Sequence, residues 1–119
     1  YSQWNMVLDS SGKSGWGWSQ SAPVTVDIVK KKATLNPSYY ATKHFSFFIT
    51  PGAKRVGVTS SQQTKSTAMA FKLSTSDEIV VVLSNPEDDS VVVQISVDGG
   101  IVLTESLPPR SFSSFIIVR

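Results

Sequence analysis

Apolar and polar positions alternate along most of this chain, and the alternation predicts strands. Residues 23–29 read Pro-Val-Thr-Val-Asp-Ile-Val, one apolar side chain on every second position, which is the period of a half-buried strand. Further on, 55–60, 68–73, 78–84, 91–97, 101–106 and 111–118 are strand-like segments separated by turn-forming residues. Ile79-Val80-Val81-Val82-Leu83 is apolar without a break, as expected of a central strand covered on both faces. Asp98-Gly99-Gly100 predicts a tight hairpin between the two strands around it. Six strands in close succession predict an antiparallel β-sandwich.

One segment breaks this rhythm. In 36–49 the residues Tyr40, Ala41, His44, Phe45 and Phe48 recur at spacings of three and four, so they share one face of a helix. Asn36 is placed to cap it and Pro37 suits its first turn. Thr50-Pro51-Gly52 ends it. A helix so aromatic calls for a large apolar partner. The segment before 23 is different again. Residues 1–8 are extended in character, with Trp4, Met6 and Leu8 in alternation. Asp9-Ser10-Ser11-Gly12-Lys13-Ser14-Gly15 is a loop, and Gly15-Trp16-Gly17-Trp18 follows it. The polar stretch 60–67 is a further loop.

Composition narrows the function classes. The chain has 119 residues, 40% hydrophobic and 17% charged, with a net charge of +2. It is long enough for one domain with a real core. Lys30-Lys31-Lys32 is the one basic run. No aromatic residues interleave with it, so it reads as a solvated loop and not as a nucleic-acid surface. There are no cysteines, hence no disulfides and no thiolate metal site. No apolar run approaches the ~20 residues that span a bilayer. The chain begins with Tyr1, and is expected to be a processed or truncated product.

Candidate chemistry is sparse. His44 stands alone in the aromatic helix, where a core or capping role is the ordinary one. Glu78, Glu87 and Glu105 lie at strand edges and turns. Glu87-Asp88-Asp89 lacks the alternating ligand spacing of a calcium loop. No phosphate loop and no nucleophile elbow is present. These residues suggest no catalytic set, no metal site and no cofactor. The tryptophans are the exception. Sugar rings present C–H faces that lie well on indole faces, so Trp16 and Trp18 are candidate sugar contacts; the ordinary alternative is that one of them plugs the edge of the core.

Taken together, Trp4-Asn5-Met6-Val7-Leu8-Asp9, Gly15-Trp16-Gly17-Trp18, Val24-Thr25-Val26-Asp27, Asn36-Pro37 through His44-Phe45-Ser46 and Phe48-Ile49, Pro51-Gly52-Ala53, Val80-Val81-Val82-Leu83-Ser84-Asn85 and Leu107-Pro108-Pro109-Arg110-Ser111-Phe112 resemble the C-terminal part of glycoside hydrolase family 30. The likeness is greatest to its fungal endo-β-1,6-glucanases, with the lysosomal glucosylceramidases more distant. That family joins a (β/α)8 barrel to a side β-sandwich. The resemblance implies that residues 1–52 are the remnant of the last barrel strand, a tryptophan loop and the last barrel helix. Residues 53–119 would be the C-terminal β-sandwich. It implies a retaining β-glycosidase whose two catalytic glutamates lie upstream of this segment, so that no catalytic residue falls here. Trp4 corresponds to a tryptophan lining the sugar pocket at the end of barrel strand eight. Trp16 and Trp18 fall near its rim, and Ser19 stands where the glucosylceramidases have a pocket asparagine. The implied partners are a β-glucan or other carbohydrate, and either a barrel polypeptide or a second copy of the chain. No nucleic acid and no membrane span is implied, and the setting is extracellular, for a secreted protein. A second reading stays open: a stand-alone, lectin-like β-sandwich that binds carbohydrate without catalysis.

Overall fold

The computed structural model describes residues 2–60 and 65–118. Among these residues nine strands and one helix follow in the order β1 (Val7–Asp9), β2 (Val24–Asp27), β3 (Lys32–Leu35), α1 (Pro37–Ser46), β4 (Lys54–Val56), β5 (Thr67–Lys72), β6 (Glu78–Asn85), β7 (Val91–Val97), β8 (Gly100–Leu107) and β9 (Ser111–Val118). The chain divides into two compact units, Tyr1–Lys43 and His44–Arg119. The division falls within helix α1.

The second unit is the expected antiparallel sandwich. One layer is a four-stranded sheet in the order β4-β5-β6-β9, and the other is the β7-β8 hairpin. Strand β6 sits inside the sheet, with β5 on one side and β9 on the other. Its alternate side chains serve two cores. Ile79, Val81 and Leu83 join Ala70 and Leu107, with Val93, Ile95 and Val97 of the hairpin against them. Val80 and Val82 point the other way, onto Leu73, Phe45, Phe48, Ile49 and Ala53. This is why the run 79–83 is apolar throughout: both pleat directions end in packed side chains. Val80 is wholly buried, which contributes roughly 1.5–3 kcal/mol by removing its side chain from water.

The turns follow their residues. Val97 pairs with Gly100 across Asp98 and Gly99. Both loop residues have positive φ, 51° and 85°, the two-residue type I′ geometry that matches strand twist. The turn after β6 is held from inside. Asn85 is buried, and its Nδ2 donates to the carbonyls of Asp89, Leu107 and Pro108 at 2.8, 3.3 and 2.9 Å. Its Oδ1 accepts from the Glu87 amide at 3.1 Å. One amide side chain thereby bonds groups from two connections. His44 and Ser114 join the helix to β9: Nδ1 lies 2.8 Å from Oγ, and the imidazole stacks on Phe112. The lone histidine is therefore a packing residue, as its setting in the sequence suggests.

Several boundaries differ from expectation. The helix ends at Ser46, though the Ile49 amide still reaches the Phe45 carbonyl at 3.0 Å. The strand expected over 55–60 is the short β4. Strand β3 is unexpected, since its lysine reads as loop. It forms because Lys32 pairs with Asp27 and Leu35 with Val24 across an antiparallel ladder. The expected extended stretch 1–8 yields a strand only from Val7; Tyr1 lies outside the described residues, as do positions 61–64 of the expected loop 60–67. Asn36 does not serve through the side-chain cap expected of it. Its Nδ2 donates to the Ala22 carbonyl and to Thr25 Oγ1 at 2.7 and 2.8 Å, and its backbone amide to the Pro23 carbonyl at 2.8 Å. That ties the start of the helix to β2 and the residues leading into it.

The first unit is built from the small sheet β1-β2-β3, with β1 parallel to β2. Ala22 and Pro23 are its buried residues. Much of what holds it is polar and local.

Candidate functional site

The segment between β1 and β2 folds into a miniature hairpin. Lys13 and Ser19 form an isolated antiparallel bridge. The Ser14 amide donates to the Trp18 carbonyl at 3.0 Å, and the Gly17 amide to the Ser14 carbonyl at 2.8 Å. Gly17 has φ +76°. This is a three-residue loop closed by a left-handed glycine, a hairpin connection that a residue with a Cβ adopts only with strain. The Gly-Trp-Gly-Trp order thus has a local reason. It sets Trp16 in the loop itself and Trp18 on the returning arm.

The base of this hairpin is fixed at two points. At its start, the Asp9 carboxylate accepts from the Ser11 hydroxyl and, at 2.9 Å, from the Ser11 amide. These bonds hold the carboxyl below its ordinary pKa, the side-chain bond to Ser11 contributing most. At its end, the Gln20 amide donates to the Gly12 carbonyl at 2.7 Å. The Gln20 side-chain oxygen accepts from Asn5 Nδ2 at 2.6 Å. The returning arm is therefore tied to the residue next to Trp4. Neither Asn5 nor Gln20 stands out in the sequence as a site residue; only their meeting across 15 positions reveals the link.

All three sequence-predicted site residues lie in this unit, and all three are presented to solvent: Trp4 is 88% exposed, Trp16 85% and Trp18 68%. The ordinary alternative, that an indole plugs the core edge, is not what the structure has. Exposed indoles are free to stack on a flat apolar face while their N–H groups hydrogen-bond at the rim. Glu78, Glu87 and Glu105 belong to the second unit, on β6, the turn after it and β8. Glu87 there pairs with Lys65 at 3.6 Å. Among the described residues no group of three or more metal-ligating side chains is gathered, and no helix is long and apolar enough to cross a membrane.

Comparison with known proteins gives this arrangement a context. Residues 52–115 match the glycosyl hydrolase family 30 beta sandwich domain. The chain is 30% identical over 117 residues to the lysosomal acid glucosylceramidase of Mus musculus, and 25% identical over 117 residues to putative glucosylceramidase 3 of Caenorhabditis elegans. In both cases 98% of this chain is covered but only 22% of the relative. Among solved structures, SrfJ from Salmonella typhimurium superposes with a TM-score of 0.89 at 23% identity, which speaks for the fold. The endo-β1,6-glucanase BT3312 superposes with a TM-score of 0.84 at 25% identity. Each covers 98% of this chain, which spans 26% of either structure.

Proposed function

The chain belongs to glycoside hydrolase family 30 through its β-sandwich domain, and from that premise we propose that it is the C-terminal segment of a retaining β-glycosidase that cleaves β-linked glucan, with endo-β-1,6-glucanase specificity. In this reading the sandwich is the structural part, and residues 1–52 finish a (β/α)8 barrel. The chain's contribution to the reaction is at the sugar site. Trp4 lines the pocket that holds the glucosyl unit at the scissile bond, and Trp16 and Trp18 stack further units of the polymer. The acid/base and nucleophile glutamates of the retaining reaction belong to a companion catalytic segment. The substrate is an extracellular polymer, and the protein is secreted to reach it.

The observation that carries this proposal is the presentation of all three indoles to solvent by a unit that does not use them to build its own core. Exposing three tryptophans forgoes much of the stabilisation that burying them would contribute, and a sugar polymer offers the faces to recover it. The test is hydrolysis of β-1,6-glucan by the full-length polypeptide that carries this chain, followed by product analysis. Release of β-1,6-linked oligosaccharides is expected. Binding of glucan without hydrolysis would favour the lectin-like reading. Hydrolysis of glucosylceramide with no action on β-1,6-glucan would replace the substrate but keep the family chemistry.

A further inference from the structure

Two segments that the proposed sugar site needs in a fixed relation are joined by one pair of amides. Trp4 stands ahead of β1, and Trp16 and Trp18 stand on the hairpin that follows it. The small sheet fixes where these segments start and return. The Val24 amide donates to the Met6 carbonyl at 3.1 Å, and Val7 pairs with Val24 across the parallel β1-β2 ladder. The tryptophans lie beyond those ties. There Asn5 Nδ2 donates to Gln20 Oε1 at 2.6 Å. Asn5 is the residue after Trp4, and Gln20 the second after Trp18. Both are half-buried, so breaking the bond leaves two amides short of a partner where water reaches them only in part. Gln20 is also held from behind. Its backbone amide donates to the Gly12 carbonyl at 2.7 Å. Gly12, at φ +62°, passes so close that a Cβ there would lie 3.2 Å from the Gln20 carbonyl oxygen. With its main chain fixed in this way, Gln20 presents its side-chain amide to Asn5 from a firm base.

We infer that Asn5 and Gln20 are positioning residues: their hydrogen bond sets the hairpin that carries Trp16 and Trp18 in register with Trp4, so that one glucan strand meets all three rings at once. This role rests on the proposed function, which assigns the rings to the sugar, and it adds how their spacing is held. Stacking at separate rings adds up only where the rings stand at the spacing of sugar units along a single strand. On a hairpin free to swing, each further ring holds its unit as a looser and partly independent contact. An amide pair suits the task. Neither group is charged, so the bond keeps its strength as pH varies and is not screened by salt, unlike an ion pair. The effect falls on binding of the strand and not on the chemical step, because neither side chain supplies an acid, a base or a nucleophile.

The experiment takes kcat and KM on β-1,6-glucan, with the melting temperature, for the full-length protein and four variants: Asn5→Ala, Gln20→Ala, Gln20→Glu, and Asn5→Asp combined with Gln20→Glu. Either alanine variant should raise KM by about two- to tenfold, the range of one neutral hydrogen bond, with kcat held within about twofold. Gln20→Glu keeps an oxygen that accepts from Asn5 Nδ2 and should restore the wild-type KM. The double variant sets two carboxylates face to face with no proton to share, and should raise KM at least as far as the alanines do. Should Asn5→Ala melt early, Gln20→Ala and Gln20→Glu carry the same test. A merely structural pair would lower kcat and melting temperature together in both alanine variants and leave KM unmoved, since the molecules still folded would bind as before; that result would overturn the inference. So would alanine variants with the wild-type KM, or a Gln20→Glu variant no better than Gln20→Ala. Where the glucan is bound and not cleaved, its dissociation constant is read in place of KM and the same comparisons decide. A wild-type protein that neither binds nor cleaves β-1,6-glucan would be a separate failure, that of the proposed function, and would take the positioning role with it.

Discussion

The two units of this chain differ in how far their apolar residues build a core, since the buried clusters lie in the second. In His44–Arg119 a packed set is turned inward: β6 alone sends side chains into two cores, and Val80, Val82 and Leu107 are buried, although Phe47, Val92, Ile101 and Val118 stay exposed. In Tyr1–Lys43 the large ones are turned outward, with Trp4, Trp16, Trp18, Ile28 and Val29 all exposed. The first unit is held by polar side-chain hydrogen bonds, at Asp9, Asn5–Gln20 and Asn36. The contrast separates residues that serve the chain's own stability from those that, on the proposed reading, serve a partner. A core residue is satisfied by its neighbours in the fold. An indole left in water on a defined hairpin is satisfied by something that arrives.

This difference can be broken on the packed side first. Leu107→Ala should cost about 2–5 kcal/mol, the range for emptying a buried leucine site, measured by chemical denaturation. A loss well under 1 kcal/mol would mean that the hairpin does not close the sandwich as described. Asn85→Ala should cost about 1–3 kcal/mol, because the carbonyls of Asp89, Leu107 and Pro108 lose the Asn85 amide as a donor. Asn85→Asp should not rescue it, since a carboxylate cannot donate.

On the outward side the expected effect on stability is small and the effect on binding is not. Trp16→Ala and Trp18→Ala should shift stability by no more than about 0.5 kcal/mol while weakening the retention of β-glucan in affinity electrophoresis. A large stability loss with unaltered retention would move these residues from the binding class to the core. The smallest effect concerns Asp9. Its folded pKa is lowered from 3.8 by the Ser11 bonds, so what it contributes is present above that value and is lost as the pH falls below it, through the folded pKa. Amide exchange at Ser11 and Gly12 should quicken over that acid range, and Asp9→Asn should flatten the response.

Much of the second unit was legible from the pattern of residues. Val91–Val97 and Ser111–Val118 stand where the sequence places them, because alternation and turn residues agree there. The unbroken run 79–83 predicts its own burial on both faces. Strand β3 was not legible, since Lys30-Lys31-Lys32 suggests solvent and only the ladder to β2 shows otherwise. Asn85 was hidden for a related reason. Asn-Pro reads as a turn, and nothing local says that its amide will reach carbonyls 22 and 23 positions away. For the candidate site, the tryptophans were legible by type, but their segment was legible only as a loop and its hairpin was not. The tie from Asn5 to Gln20 was not, because two polar side chains carry no periodic signal.

The most direct measurement compares wild-type full-length protein with Trp4→Ala, taking kcat/KM on β-1,6-glucan and the melting temperature from the same preparations. The loss of one stacked ring should lower kcat/KM by about tenfold and leave the melting temperature unchanged, because the indole is exposed. Full activity in Trp4→Ala, or a fall in activity that only follows a fall in melting temperature, would contradict the assignment of these tryptophans to the sugar site.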